Sequence, residues 1–101
     1  MFVILWEFRP APGREAEFER AYGPNGDWAR FFQRDPSYLG TELLRDTKDP
    51  TRFMTVDRWS SQEAFDSFAQ REAKAYVDLD ERLKPLAVEE TRVATFTTPG
   101  A

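Results

Sequence analysis

Hydrophobic and polar positions along this chain change period several times, and each change marks an element. Phe2 to Arg9 (FVILWEFR) is apolar on both faces as far as Trp6, the pattern of a central strand covered on two sides. Pro10, Pro12 and Gly13 stop it. Arg14 to Tyr22 predicts a short helix with Ala16, Phe18, Ala21 and Tyr22 inward, broken by Gly23-Pro24-Asn25-Gly26. Asp27 caps a second helix running through Arg34, with Trp28, Phe31 and Phe32 on one side, and Asp35-Pro36 closes it. Tyr38 to Asp46 predicts a second strand and Arg52 to Trp59 a third. The turn Thr47-Lys48-Asp49-Pro50 between them makes an antiparallel hairpin. The third strand ends at Ser60 and Ser61, either of which can cap a helix, and Ser60 to Glu63 has the spacing of a capping box. Phe65, Phe68, Ala69, Tyr76, Leu79 and Leu83 then recur at three- and four-residue steps. Glu72 interrupts that stripe, so a kink or a break falls near Arg71 to Ala75. Pro85 ends the helix, and Ala87 to Thr98 is a long last strand.

The order strand, helix, strand, strand, helix, strand is the split βαβ pattern: an α+β, ferredoxin-like βαββαβ domain whose four-stranded antiparallel sheet carries its helices on one face. The whole chain, 1–101, is expected to form that single domain. The strands still place Val3, Leu5, Met54, Val56 and Val93 on the other face. A second copy of the same sheet is the simplest cover for it, which predicts a homodimer. Glu7 and Arg58 are expected there too, with Arg9, Glu42, Glu90 and Arg92, as an ion-pair network that fixes register across the interface; a charged site is the alternative.

Composition narrows the chemistry. Nine Phe, three Trp and three Tyr in 101 residues are enough for an aromatic core or an aromatic-walled pocket without staples. No Cys means no disulfide and no thiolate metal site. No His removes Ser-His triads, His-ligated zinc, proximal-His haem and imidazole bases together. The aspartates lack calcium-loop spacing, and no glycine-rich phosphate loop is present, so no metal and no organic cofactor is expected. The net charge is −4 with scattered basic residues, which speaks against nucleic acid as a partner. The longest apolar run, Phe2 to Trp6, is too short to span a membrane and is no signal peptide, so a cytoplasmic location is the expectation.

The segments WEFRPAPGREAEFERAYG, YLGTELLRD and RFMTVDRWSSQEAF, and the final E-x-x-R-x-x-x-F, resemble the antibiotic biosynthesis monooxygenase-like family. The resemblance covers nearly the whole chain, and its most specific parts are Pro10 to Gly13 and the Trp59 to Phe65 corner. It implies a ferredoxin-like chain that pairs into a dimeric α+β barrel, with a pocket between sheet and helices. The implied activities include cofactor-independent oxygenation of aromatic polyketides, haem degradation and quinol oxidation, and many members have no known activity. Trp59 matches the family's tryptophan at the end of the third strand. Trp6 falls roughly where the oxygenases have an asparagine, and the helix histidine of the haem degraders has no counterpart, which argues against haem degradation.

Strand alternation puts Trp59, Asp57, Thr55 and Phe53 on one face, joined by Trp6, Phe8 and Ile4 from the first strand. The catalytic candidates are Trp59, Asp57 and Trp6. Trp28, Phe32, Phe65, Phe68 and Tyr76 are the candidates for binding a small aromatic molecule from the helix side. A desolvated Asp57 would have a raised pKa and could take a proton from a phenol or an activated carbon. Tyr76 could donate a hydrogen bond to a ligand oxygen. The competing reading is that the aromatics are packed core and Asp57 a solvated or Arg-paired carboxylate. A cofactor-independent monooxygenase, a non-oxidative polyketide cyclase or isomerase, and a non-catalytic small-ligand-binding or structural dimer all remain open at this point.

Overall fold

The computed structural model describes residues 1–100. Four strands and four helices follow one another as β1 (Phe2–Pro10), α1 (Glu15–Tyr22), α2 (Asp27–Phe32), β2 (Tyr38–Arg45), β3 (Phe53–Trp59), α3 (Gln62–Arg71), α4 (Ala73–Leu83) and β4 (Ala87–Thr97), with a 3-10 turn at Lys84–Leu86 before β4. All neighbouring strands run antiparallel in the order β2-β3-β1-β4. This is the α+β ferredoxin-like fold that the element order predicts. No helix among the described residues is long and apolar enough to cross a membrane.

Local chemistry sets the element ends. Ser61, not Ser60, caps α3: its hydroxyl accepts from the Ala64 N–H at 3.1 Å, and because Ala64 has no polar side chain to bond back, the expected Ser60–Glu63 capping box gives way to a simple N-cap. The helix stripe breaks at Glu72, whose φ of −106° and ψ of 23° leave the helical region, which divides the expected long helix into α3 and α4. Pro85 sits inside the 3-10 turn, where its missing N–H is harmless. Gly26 lies against the end of α1; a Cβ there would come within 2.2 Å of the Arg20 carbonyl oxygen, so only glycine lets α2 begin where Trp28 reaches the core.

Register decides which side chains meet. Phe2, Ile4, Trp6 and Phe8 pair with Trp59, Asp57, Thr55 and Phe53, and this inner face lies under the helices. Val3, Leu5, Met54 and Val56 occupy the outer face, as expected. Three register shifts depart from simple alternation; one, between Arg9 and Pro10 against β4, falls at the strand end, and the other two bear on the inner face. Of these two, the one between Tyr38 and Gly40 lets both Tyr38 and Thr41 pair with inner-face residues of β3, Trp59 and Asp57. The other, between Leu5 and Trp6 against β4, inserts Val93 and pairs Arg92 with Trp6 and Glu90 with Phe8. Arg92 and Glu90 therefore belong to the inner face, a correction to their expected place beside Glu7 and Arg58.

The outer face carries ion pairs within the chain, and the partner of Glu7 is Arg52 where Arg58 was expected. Glu7 pairs with Arg52 and Arg58 with Glu42, while Arg9 reaches Asp49 at 2.9 Å and Glu89 at 3.2 Å. These are pairs within one chain between exposed or half-exposed side chains, so solvent screens them and they add little to stability. The stability comes from the inner face instead. Trp59 is wholly buried, with the rings of Phe32, Tyr38, Phe65 and Phe68 at 5.2–5.3 Å in tilted and edge-on arrangements. Each such pair adds about 0.5–1.5 kcal/mol beyond the area it buries.

Candidate active site

The sheet and helices do not close completely. At the Trp59 end of β3 the space between them is filled; around Trp6 it opens into a cavity of about 220 Å³. Trp6 and Phe8 of β1 form one wall, and Tyr22, Trp28, Phe32 and Tyr76 from the helices form the opposite one. Thr41, Thr55 and Asp57 give the sheet side its polar atoms. Val77, Asp80 and Glu90 stand at the mouth, where Val77 is exposed. The volume is about that of seven liquid waters, below the range of drug-sized pockets. It suits a ligand of one or a few rings.

Asp57 is the unusual group here. It is only 8% exposed, and no cation among the described residues pairs with it. Burial pushes its pKa up to about 6, and a hydrogen bond from the Thr41 hydroxyl, 2.6 Å from Oδ1, partly opposes the rise. Since Thr41 gives its one proton to Asp57, the Tyr38 hydroxyl at 2.5 Å must be donor to Thr41. The chain Tyr38→Thr41→Asp57 fixes the carboxylate by one oxygen. Oδ2 has no hydrogen-bond partner among the described residues, although it is not sealed from the cavity. The Thr55 hydroxyl, in a residue 4% exposed, is in the same position. Two polar atoms on buried residues thus open onto the cavity with hydrogen-bonding capacity unspent.

The phenols stay protonated at neutral pH. Burial pushes Tyr76 up to about 12, helped by the charge of Asp57, and burial does the same for Tyr22. At the mouth Glu90, exposed overall but partly desolvated by its neighbours, is raised by that desolvation first and by Asp80 second, and Lys84 counters this in part. The Trp28 indole N–H approaches the Tyr22 hydroxyl, yet no acceptor meets it in hydrogen-bond geometry. Among the described residues no group of His, Cys, Asp or Glu has the arrangement to hold a metal ion.

The expected site residues divide. Asp57, Trp6, Trp28, Phe32 and Tyr76 converge on the cavity. Trp59, Phe65 and Phe68 do not reach it; they pack on one another at 5.2 Å, beside Phe2, at the closed end of the same layer. Their expected place in the pocket wall is corrected by this packing, since facing the helices is not the same as facing a void. Thr41 is the residue the sequence reading missed. A threonine between Gly40 and Glu42 carries no motif, and strict alternation from Tyr38 points it outward; the only available signal was Gly40, a bulge former inside a strand pattern.

A sheet covered by helices on one face, with three carboxyl groups along an aromatic-walled cavity between them, gives a ferredoxin-like domain with one candidate small-molecule site. The sequence model of the antibiotic biosynthesis monooxygenase family matches residues 1–77, and the chain belongs to that family. Solved structures agree over the full length. A Deinococcus radiodurans protein named for the same family superposes with a TM-score of 0.76 at 13% identity, covering 100% of this chain and 95% of that one. A single-residue variant of SnoaB, a cofactor-independent oxygenase from Streptomyces nogalater, gives 0.70 at 21% identity over 99% and 94%. A single-residue variant of MhuD, with two manganese protoporphyrin IX bound per active site, gives 0.69 at 25% identity over 100% and 97%. No curated protein sequence matches the chain.

A metalloporphyrin of the kind the MhuD variant holds does not fit these residues. The chain has neither His nor Cys, the cavity is too small for a tetrapyrrole, and its three carboxylates oppose the propionates of such a ring.

Proposed function

We propose that this chain is a cofactor-independent monooxygenase acting on a small aromatic or polyketide-type substrate. The observation that carries this reading is Asp57: an acid with a pKa of about 6, at the wall of an apolar cavity, with Oδ2 free among the described residues. Near neutral pH it is ionised yet basic enough to take a proton. In the proposed reaction a methylene activated by adjacent aromatic and carbonyl groups lies against Trp6, and its proton goes to Asp57 Oδ2. The carbanion gives its electrons to dioxygen, and the returned proton completes a hydroperoxide. The O–O bond then breaks as the second hydrogen leaves that carbon, so R₂CH₂ and O₂ become R₂C=O and H₂O. One oxygen atom enters the product and the other becomes water. Tyr76, still protonated, donates to the oxygen that gains charge in the carbanion. Trp28 and Phe32 hold the ring. Trp59 acts from behind by fixing Phe32, 5.3 Å away, rather than by touching substrate.

The same reading includes a homodimer formed through the outer sheet face, supported by its exposed apolar side chains, Leu44 at 47% and Phe96 at 58%. Oxygen uptake with a panel of hydroxyanthrones and quinols tests the activity. Turnover should consume one O₂ per product, and Asp57→Asn should lower it by about 10²-fold or more. Product formation without oxygen uptake would point to the non-oxidative cyclase or isomerase, which needs the same acid and base. No turnover with any member of the panel would leave a binding protein.

A further inference from the structure

The charge of the cavity is one-sided. Asp57, Asp80 and Glu90 line it, and no Lys or Arg among the described residues does. Its remaining walls are chiefly aromatic rings, whose faces carry the negative side of a quadrupole. Carboxylates and ring faces both favour a cation. Two cations stand near without lining the space: Arg92, 5.8 Å over the Trp6 ring, and Lys84, whose charge acts on Glu90. The three acids are not grouped closely enough to hold a metal ion. A cation that satisfies them must therefore carry its charge on a larger organic frame. Depth adds an independent indication of a ligand. Asp57 Oδ2 and the Thr55 hydroxyl are polar atoms on residues more than nine-tenths buried, open to the cavity and without partners among the described residues.

We propose that the ligand of this cavity is an aromatic compound bearing a protonated or quaternary nitrogen, its ring between Trp6, Trp28 and Tyr76 and its nitrogen at the Asp80–Glu90 mouth. This rests on the aromatic-ligand reading above and names the charge class that the site selects. Ligands of equal size carrying a carboxylate are repelled by the same groups.

Three naphthalenes of similar size separate the possibilities: 1-naphthylmethylammonium, 1-naphthylmethanol and 1-naphthoate, each titrated calorimetrically into the full chain. The ammonium compound should bind about tenfold or more tightly than the carboxylate, a gap of about 1.4 kcal/mol. The gap should narrow as salt is added. In the Asp80→Asn/Glu90→Gln variant it should shrink to about threefold or less, while the alcohol binds as before and so reports an intact cavity. If the double variant fails to fold, Glu90→Gln alone, at an exposed position, gives the same readout. Equal or tighter binding of the carboxylate, no binding of any of the three, or a preference that survives the substitutions would each overturn the proposal. Oxygen uptake is read separately. Turnover of neutral substrates without ammonium preference would end this proposal and spare the monooxygenase reading, and preference without turnover would do the reverse.

Discussion

Asp57 shows what burying a single carboxyl group costs the fold. Its carboxyl group has a pKa of about 6 in the folded chain against a usual value of 3.8, because burial disfavours the charged form. Between those two values the folded state holds a proton that the unfolded state has already lost. Stability from this group is therefore complete below pH 3.8 and disappears as the pH rises through about 6. At pH 7 the deficit is roughly 3 kcal/mol. Asparagine at 57 can still accept from Thr41 but never ionises. Asp57→Asn should thus match the parent in stability at about pH 4 and exceed it by up to roughly 3 kcal/mol at about pH 8, while losing activity. Urea unfolding of both proteins across that range measures the difference, in which the other carboxylates cancel. A difference that stays flat with pH would show that Asp57 is not desolvated in the folded chain. Asp57 was legible in the sequence because it is the one ionisable residue among the inward positions of the third strand. The role of Trp59 was less so: alternation gives the face a side chain takes, but not whether its neighbours fill the space beyond it.

The bulges at Tyr38–Gly40 and at Val93 show where element-level reading stops. Period-two alternation assigned the inner faces of β1 and β3 correctly, and both strands pair without interruption there. In β2 and β4 an extra residue reverses the parity, so Thr41, Glu90 and Arg92 reach the inner face while alternation points them outward. Nothing in a hydropathy pattern marks such a reversal when the residues involved are polar. In β2 the device depends on Gly40, whose φ of +141° lies where side-chain-bearing residues are strained, although a Cβ there would meet no atom within 4 Å. The cost of Gly40→Ala is therefore conformational, about 1–3 kcal/mol. Relief of that strain requires the bulge to move, which separates Tyr38 from Thr41 and Thr41 from Asp57. Since the Thr41 hydrogen bond lowers the Asp57 pKa, its loss should raise it further. Carbon-13 titration of the Asp57 carboxyl should show that rise alongside the lower stability. An unchanged titration in a destabilised protein would mean that the Thr41 contact does not depend on the bulge.

At the scale of the molecule the two faces of the sheet have unequal cover. The helices bury the inner face, while the outer one carries Val3, Leu5, Met54 and Val56 at its centre, with Leu44 and Phe96 exposed toward its edges. Apolar side chains grouped this way on a sheet in water favour association, and the ion pairs among them are satisfied within one chain and so demand no charged partner. A face that is self-complementary in this sense suits a two-fold copy of itself. Phe96 is the sensitive position: it is 58% exposed in the single chain, pairs with Val3 across β1 and β4, and belongs to the face opposite the cavity. Phe96→Glu would bury a charge at such an interface while leaving a single chain undisturbed. Light scattering should give twice the chain mass for the parent at micromolar concentration and the single-chain mass for Phe96→Glu, with equal far-ultraviolet circular dichroism. A parent that is already monomeric under those conditions, or a variant that remains a dimer, would mean that the outer face is not where two copies meet.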